Sequence, residues 1–486
     1  MTPQLVLIVI LSYFFALICI AFITSKNSSS EDFFNASRQS PWYLVAYGMI
    51  GATLSGVTFI SIPGAVMKTQ FGYFQMVFGY IAGYLVITNI LFPLYYKLNL
   101  VSIYTYLEQR FGFWSYKTGS FFFLLSRTIG SAFRLYLAVM VLQLGLFGAW
   151  GFPLWLTSLI SVALIWVYTF RGGIKTIVWT DTFQTTFLLL ALISSIFLIK
   201  DALNLSWWQV SAEIYNSKYS QMFFFDDSGN NFFKQFISGM FIAIAMSGLD
   251  QDMMQKNLTC KSLPEAQKNM RYFMIVLVFV NFIFLCLGAL LYIYANKMQI
   301  QLPTFGGKII TDQVYPTLAF QHFGILAGIM FLLGITAATY ASSDSALTSL
   351  TTAFCIDFLH LKDKSESQKK MTIRWVHVGF SLILIVLIVI FDEVTKLYPG
   401  SDVVGALFRA SGYTYGPLLG LFGFGLFTKY TLKDKFVPLV CVICPIISYF
   451  VNIYSPQYIG YTFGFEILVF NGGLTFLGLW LIRNQK

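Results

Sequence analysis

Residues 324–358 read GILAGIMFLLGITAATYASSDSALTSLTTAFCIDF. The run opens as an apolar helix, then sets small residues, hydroxyls and one carboxylate at neighbouring helical positions, Ala337 to Ser345. An apolar stretch of this length belongs in a bilayer, and an ionisable group there is costly enough to point to function. A cation site is the reading that uses these oxygens, because a hard cation takes oxygen ligands. The plainer account is that Ala, Ser and Thr let two helices approach closely. Asp344 is the residue that account leaves over.

Composition agrees with a membrane setting. Hydrophobic residues make up 57% of the 486, charged residues only 11%, and the mean hydropathy is +0.71, which excludes a water-soluble core. The net charge of +10 does not indicate nucleic acid, since the basic residues lie in short loops between apolar runs. The six cysteines lie in or beside apolar segments, and Cys441 and Cys444, one turn apart, read as packing. Three ungrouped histidines and no paired nucleophile and base argue against an enzyme. With no Walker pattern there is no sign of an ATP-driven pump either.

Thirteen segments are long enough to span a bilayer as helices: 4–24, 42–66, 72–96, 116–148, 153–170, 176–199, 233–254, 270–295, 324–358, 372–391, 402–427, 436–454 and 461–482. No positive charge precedes the first and no A-x-A site follows it, so it reads as a retained span. On the side reached after that span lie twenty-one of the 31 Lys and Arg residues, Arg171, Lys256, Lys362 and Lys486 among them. The opposite side holds seven, and Arg127, Arg134 and Arg409 lie within spans. The positive-inside rule then places the N-terminus outside and the C-terminus in the cytoplasm of a cell (inner) membrane, which an odd number of spans requires. The loop at 200–231, with Trp207, Trp208, Asp226, Asp227 and Ser228, is outside and too short for a catalytic domain. Residues 99–111 suit a short interfacial helix on the inner side.

Two spans carry interruptions. Gly48, Gly51, Ala52, Thr53, Ser55, Gly56 and Thr58 precede Pro63-Gly64, and Ser247-Gly248 precedes Asp250-Gln251. Backbone opened at membrane depth is tolerated only where protein, water or an ion satisfies it. Discontinuous helices at corresponding places in two halves are the pattern of an inverted-repeat transporter with its site near the midplane. The halves fall at 42–199 and 233–427, joined by the loop at 200–232, preceded by an extra helix at 4–24 and followed by two at 436–482. Thr53, Ser55 and Thr58 face the space beside the first break, and Gln75 on the next span is placed to join them. Arg127 and Arg134, seven residues apart, share a helix face. A guanidinium at that depth needs an anion, and a carboxylate fits its fork, from a substrate or from Asp181 or Asp250.

These pieces together resemble the sodium:solute symporter family: Gly51 to Gly56 with Ile62-Pro63-Gly64, Tyr106 to Phe111, Gly172 to Gln184, Asp250-Gln251, and Ser342 to Asp357, in that order and spacing. The resemblance implies an all-α polytopic membrane protein with the LeuT-type fold, a five-helix inverted repeat with discontinuous helices. It also implies a sodium-coupled secondary symporter working by alternating access, with Na+ and a small solute as its ligands, the bilayer as its surroundings, and a functional monomer. By position, the main sodium site takes the carbonyls of Gly51, Leu54 and Ala338 and the hydroxyl of Ser342. Ala341 stands where the family often has a second serine, so its carbonyl or a shift to Ser343 would serve. A second sodium site takes Asp181, Asp344 and Ser345; the alternatives are structural hydrogen bonds or a proton-accepting pair. In acid-transporting members an arginine on this helix receives the substrate carboxylate, which points to Arg127 first and Arg134 second. Met246-Ser247 replace the bulky aromatic usual before Gly248 in sugar-transporting members. The expected solute is therefore a sugar acid or other organic anion, ahead of a neutral sugar or an amino acid; a non-transporting sensor or a channel is the reading from another class.

Overall fold

In a bilayer, backbone groups must be satisfied within the chain, so apolar runs become helices. The computed structural model describes residues 2–26, 30–169, 173–226, 229–361, 364–397 and 403–484, apart from the side chains at 30, 31, 144, 397 and 403–408. Arg171, Gly172, Asp227, Ser228, Lys362, Asp402 and Lys486 lie outside the described residues. The principal helices are α1 (Pro3–Thr24), α2 (Trp42–Thr53), α3 (Gly56–Thr69), α4 (Tyr73–Lys97), α5 (Phe113–Leu142), α6 (Leu154–Thr169), α7 (Gly173–Ala202) and α8 (Phe232–Gly248). After them come α9 (Gln251–Asn257), α10 (Leu263–Lys297), α11 (Thr311–Gln321), α12 (Gly324–Ala353), α13 (Glu366–Lys396), α14 (Val403–Phe427), α15 (Val437–Tyr458) and α16 (Ile467–Leu481).

Each of the thirteen expected segments coincides with one of these helices or with a bent pair of them. By length and apolar composition, eight span singly, and the pairs α2/α3 and α8/α9, bent by 58° and 69°, bring the number to ten among the described residues. Helices α6, α14 and α16 fall outside that count. Large apolar side chains on α1 and α15, Phe15, Phe22, Leu439 and Ile446 among them, are exposed. Faces of that kind suit lipid and are rare on soluble monomers.

Helix α12 is wrapped on all sides, and every residue from Gly334 to Ala353 is buried. Its small side chains are what allow this, since close helix approach in a membrane requires them. It packs against α7 and α5, and against both halves of the first broken pair. A Cβ added at Gly56 would sit 2.1 Å from Thr339 Oγ1, and one at Gly51 would sit 2.4 Å from Thr185 Oγ1. The broken pair is thus clamped between α7 and α12. Helices α4 and α8 meet in the same way, through Gly79 against Phe236 and Gly239 against Met76.

The stretch at 99–111 forms a helix over Thr105–Arg110, but its apolar side does not lie on lipid. Ile103, Tyr104 and Leu107 are fully buried, and Arg110 donates to the carbonyls of Gly425 and Thr428, so the segment is packed onto α5 and α14. The outer loop carries a helix over Trp207–Tyr215 with a Ser206/Gln209 capping box.

The close α4/α8 crossing gives a direct test. Gly239→Val would place a side chain 2.1 Å from the Met76 carbonyl, a backbone atom that cannot step aside. We expect a loss of about 1–3 kcal/mol, the usual cost of overpacking, read as a lower Tm of the purified protein.

Candidate functional site

At the first interruption Leu54 (φ −82°, ψ 72°) and Ser55 (φ −65°, ψ 172°) leave helical geometry before Gly56 restarts it. The contact of Gly56 with Thr339 brings this break to the turn of α12 that contains Ala338, Ala341 and Ser342, all fully buried. Ser342 donates to the Thr339 carbonyl at 2.9 Å. The hydroxyls of Thr53, Thr339 and Ser343 are buried with no hydrogen-bond partner among the described residues. Buried polar groups are ordinarily satisfied, so these open oxygens suit a ligand. Gly51, Leu54, Ala338, Ala341 and Ser342 are therefore collected around one break, with Ser343 beside them.

At the second interruption the protein closes the gap itself. Asp250 caps α9 by accepting from the backbone N–H of Asp252 at 2.9 Å and of Met253 at 3.4 Å. Tyr95 and Tyr104 donate to the carbonyls of Gly248 and Leu249 at 2.9 and 3.0 Å. Gln251 reaches back to Ile103 N at 3.0 Å and to Val101 O at 2.7 Å. Asp357, just beyond α12, gathers the hydroxyls of Ser102, Tyr116 and Ser120 at 2.6–3.0 Å. This polar layer seals the end of the bundle where the basic loops lie.

A cavity of about 680 Å³ opens on the other side of the break. Thr53, Leu54, Ser55 and Thr58 form part of its wall, and loop residues such as Asn230, Lys308 and Phe465 form its rim. Arg127, Arg134, Arg409, Lys68 and Lys308 line it, against one acidic residue, Asp312. Gln75 does not reach the cavity. Its amide donates to the carbonyls of Gly72 and Asn230 and accepts from Phe224 N, which ties α4 to the outer loop.

The two arginines differ. Arg127 is ion-paired with Asp252 and stands 3.9 Å from Asp250, whose other bond comes from Tyr415. Arg134 makes no ion pair within 4.0 Å among the described residues, and its Nε is buried without a partner. Arg134 is only half-buried, and a guanidinium that faces a cavity without a carboxylate partner suits an anion. Arg127, the first choice drawn from sequence, is thus the paired one of the two.

Behind the break, Asp181 on α7 is held by Lys256 Nζ at 2.6 Å, both fully buried. Lys256, expected with the inner loops, is instead inside the protein. Asp344 accepts from Tyr168 Oη at 2.9 Å and from Ser345 N at 2.5 Å. Of the two carboxylates, Asp181 thus has a built-in cation, whereas Asp344 is held by hydrogen bonds from Tyr168 and Ser345. Ser345 Oγ bonds to Ala341 O at 3.0 Å and approaches Asp252 at 3.4 Å. Neither Lys256 nor Asp252 was singled out from sequence, although their i, i+4 spacing on a short helix puts both on one buried face.

The sodium:solute symporter family profile matches residues 33–432. The human sodium/iodide cotransporter is 24% identical over 412 residues, covering 82% of this chain and 61% of its own, so the chain spans about three fifths of that relative. The sodium/sialic acid symporter NanT of Aliivibrio fischeri is 24% identical over 413 residues, covering 84% of this chain and 80% of its own. The substrate-bound, outward-open structure of a Na+-coupled sialic acid symporter superposes with a TM-score of 0.81 at 19% identity, covering 99% of each chain. That likeness establishes the LeuT-type fold.

Lys256→Met leaves Asp181 buried without its cation, and breaking a buried pair from one side costs about 3–5 kcal/mol. Thermal unfolding should show a large drop in Tm. The double variant Lys256→Met/Asp181→Asn should recover most of it.

Proposed function

We propose a function for this chain from one premise: it belongs to the sodium:solute symporter family. It imports a small organic anion, a sugar acid or a related carboxylate, together with sodium, by alternating access. The observation that carries the reading is Arg134, a guanidinium without an ion-pair partner in a cationic cavity beside a broken helix with open hydroxyls. Iodide and sialic acid, named for the two relatives, are both anions, as this lining requires. A neutral sugar has no use for five cationic side chains.

Sodium enters from the rim and bridges the break: the carbonyls of Gly51, Leu54 and Ala338 and the hydroxyl of Ser342 take it, with Ala341 O or Ser343 Oγ alongside. Its charge draws the two halves of the broken helix onto α12 and holds the outward-facing arrangement. The substrate carboxylate docks on Arg134, and Thr53, Ser55 and Thr58 offer hydroxyls to its polar body. Asp344 and Ser345, with Asp181 on the far side of Lys256, take a second cation. Rocking of the half built on 42–199 against the half built on 233–427 then opens the polar layer at Tyr104, Gln251 and Asp357. Each positive charge carried inward gains about 2.3 kcal/mol per 100 mV, and a monoanion cancels one of them.

The orientation that fits is N-terminus outside and C-terminus cytoplasmic, with thirteen spans in a cell (inner) membrane. Moving Lys256 from the loops to the interior leaves the basic asymmetry in place, twenty against seven. A functional monomer completes the proposal.

Uptake of labelled sialic acid into proteoliposomes tests the reading. An inward sodium gradient should drive accumulation, and a potassium gradient should not. Arg134→Gln should raise KM about 10- to 100-fold, the worth of a hydrogen bond to a charged group, about 1.5–3 kcal/mol; Arg134→Lys should keep part of the activity. Ser342→Ala should raise the half-saturating sodium concentration with little change at saturating sodium. Uptake indifferent to sodium, or equal competition by neutral sugars, would overturn the proposal.

A further inference from the structure

Helix α9 opens Asp250-Gln251-Asp252, and its second carboxylate lies at a junction of three helices. Asp252 Oδ2 takes Arg127 Nη2 from α5, and the same oxygen is 3.4 Å from Ser345 Oγ on α12. Its other oxygen, Oδ1, is buried with no hydrogen-bond partner, and the residue is 1% exposed. Ser345 is in turn bonded through its backbone N–H to Asp344. One carboxylate therefore touches both an arginine of the cavity wall and the hydroxyl of the deeper cation cluster.

We infer that Asp252 is a coupling residue, a carboxylate shared between Arg127 and the Asp344/Ser345 cluster, which passes to a cation bound in the cluster and so releases Arg127 to the anion in the cavity. The role rests on the symporter reading above. Without a cation, Asp252 neutralises Arg127 and the wall offers Arg134 alone. With a cation beside Ser345, the carboxylate has a second positive partner within a short side-chain rotation, and its free Oδ1 can take it without unwinding α9. Arg127, on the face it shares with Arg134, then turns its charge to the substrate. In both arrangements Asp252 keeps a positive partner, which low-dielectric surroundings demand. Linkage makes the effect mutual: an anion on Arg127 loosens Asp252 and tightens the cation by the same factor.

Calorimetric binding of sialic acid to the purified full chain, in sodium and in potassium, reads this out. Wild type should bind about tenfold or more tightly in sodium, within the usual range of coupling between sites. Asp252→Asn should tighten binding in potassium, because Arg127 then keeps only its longer, 3.9 Å approach to Asp250, and cut the sodium-to-potassium ratio about threefold or more. Asp252→Glu should restore the ratio, which a merely structural role would not predict. Ser345→Ala leaves the Arg127 pair in place and is the variant to use if Asp252→Asn does not fold; it should lower the ratio without tightening binding in potassium. A wild-type ratio in either Asp252→Asn or Ser345→Ala overturns the coupling role. Equal affinity in sodium and potassium for the wild-type protein would instead overturn the symporter reading itself.

Discussion

A helix that breaks inside a membrane frees backbone groups that lipid cannot satisfy, and the structure depends on how its two breaks meet that demand. The break at Leu249-Asp250 is closed by the chain itself. Asp250 caps the restarted helix, and Tyr95 and Tyr104 take the carbonyls left over. The break at Leu54-Ser55 is treated differently: glycines pull it against Thr185 and Thr339, and the hydroxyls gathered there keep their bonding capacity. One break is thus a joint closed by the protein itself, and the other a place where buried hydroxyls stand open. The pseudo-symmetry of two interrupted helices serves two unlike tasks.

Buried charge imposes the second constraint. Asp181, Asp250, Asp252 and Asp344 are buried together with Lys256 and Arg127, and Arg134 stands half-buried in the cavity wall. Pairing is nearly but not fully complete. Among the described residues Arg134 has no ion-pair partner on the cavity side, and Asp344 is held by hydrogen bonds from Tyr168 and Ser345. In the proposed symport of a cation and an anion, these two positions are where the charges of the ligands would be met.

The helices, both breaks and the hydroxyl-rich turn of α12 were legible in the sequence because each is written in a local run: apolar length, glycine clusters, Ser and Asp at helical spacing. The face shared by Arg127 and Arg134 was legible for the same reason. Their ranking was not, because it depends on Asp252, a residue on another helix more than a hundred positions away. Lys256 looked like one more basic loop residue, since nothing local marks a seven-residue helix as buried. Gln75 sat at the right depth, yet its amide closes on a loop whose path periodicity does not describe. The inner segment at 99–111 has the pattern of a surface helix, and only tertiary packing decides that protein covers its apolar side.

The separation of signs also bears on the order of events. A cavity wall with five cations and one carboxylate attracts anions from solution and repels sodium. Sodium must cross that field to reach the break, and the deeper carboxylates are what draw it there. An anion settling on Arg134 cancels part of the wall's charge and lowers the barrier for the cation behind it, while the cation in place strengthens the wall's hold on the anion. Each ligand thus improves the site of the other through space alone, before any helix moves. The rocking motion then begins from a state in which every buried charge has found its partner, whereas any half-loaded state leaves one charge unmet. That asymmetry of electrostatic cost is sufficient to favour movement of the doubly loaded carrier.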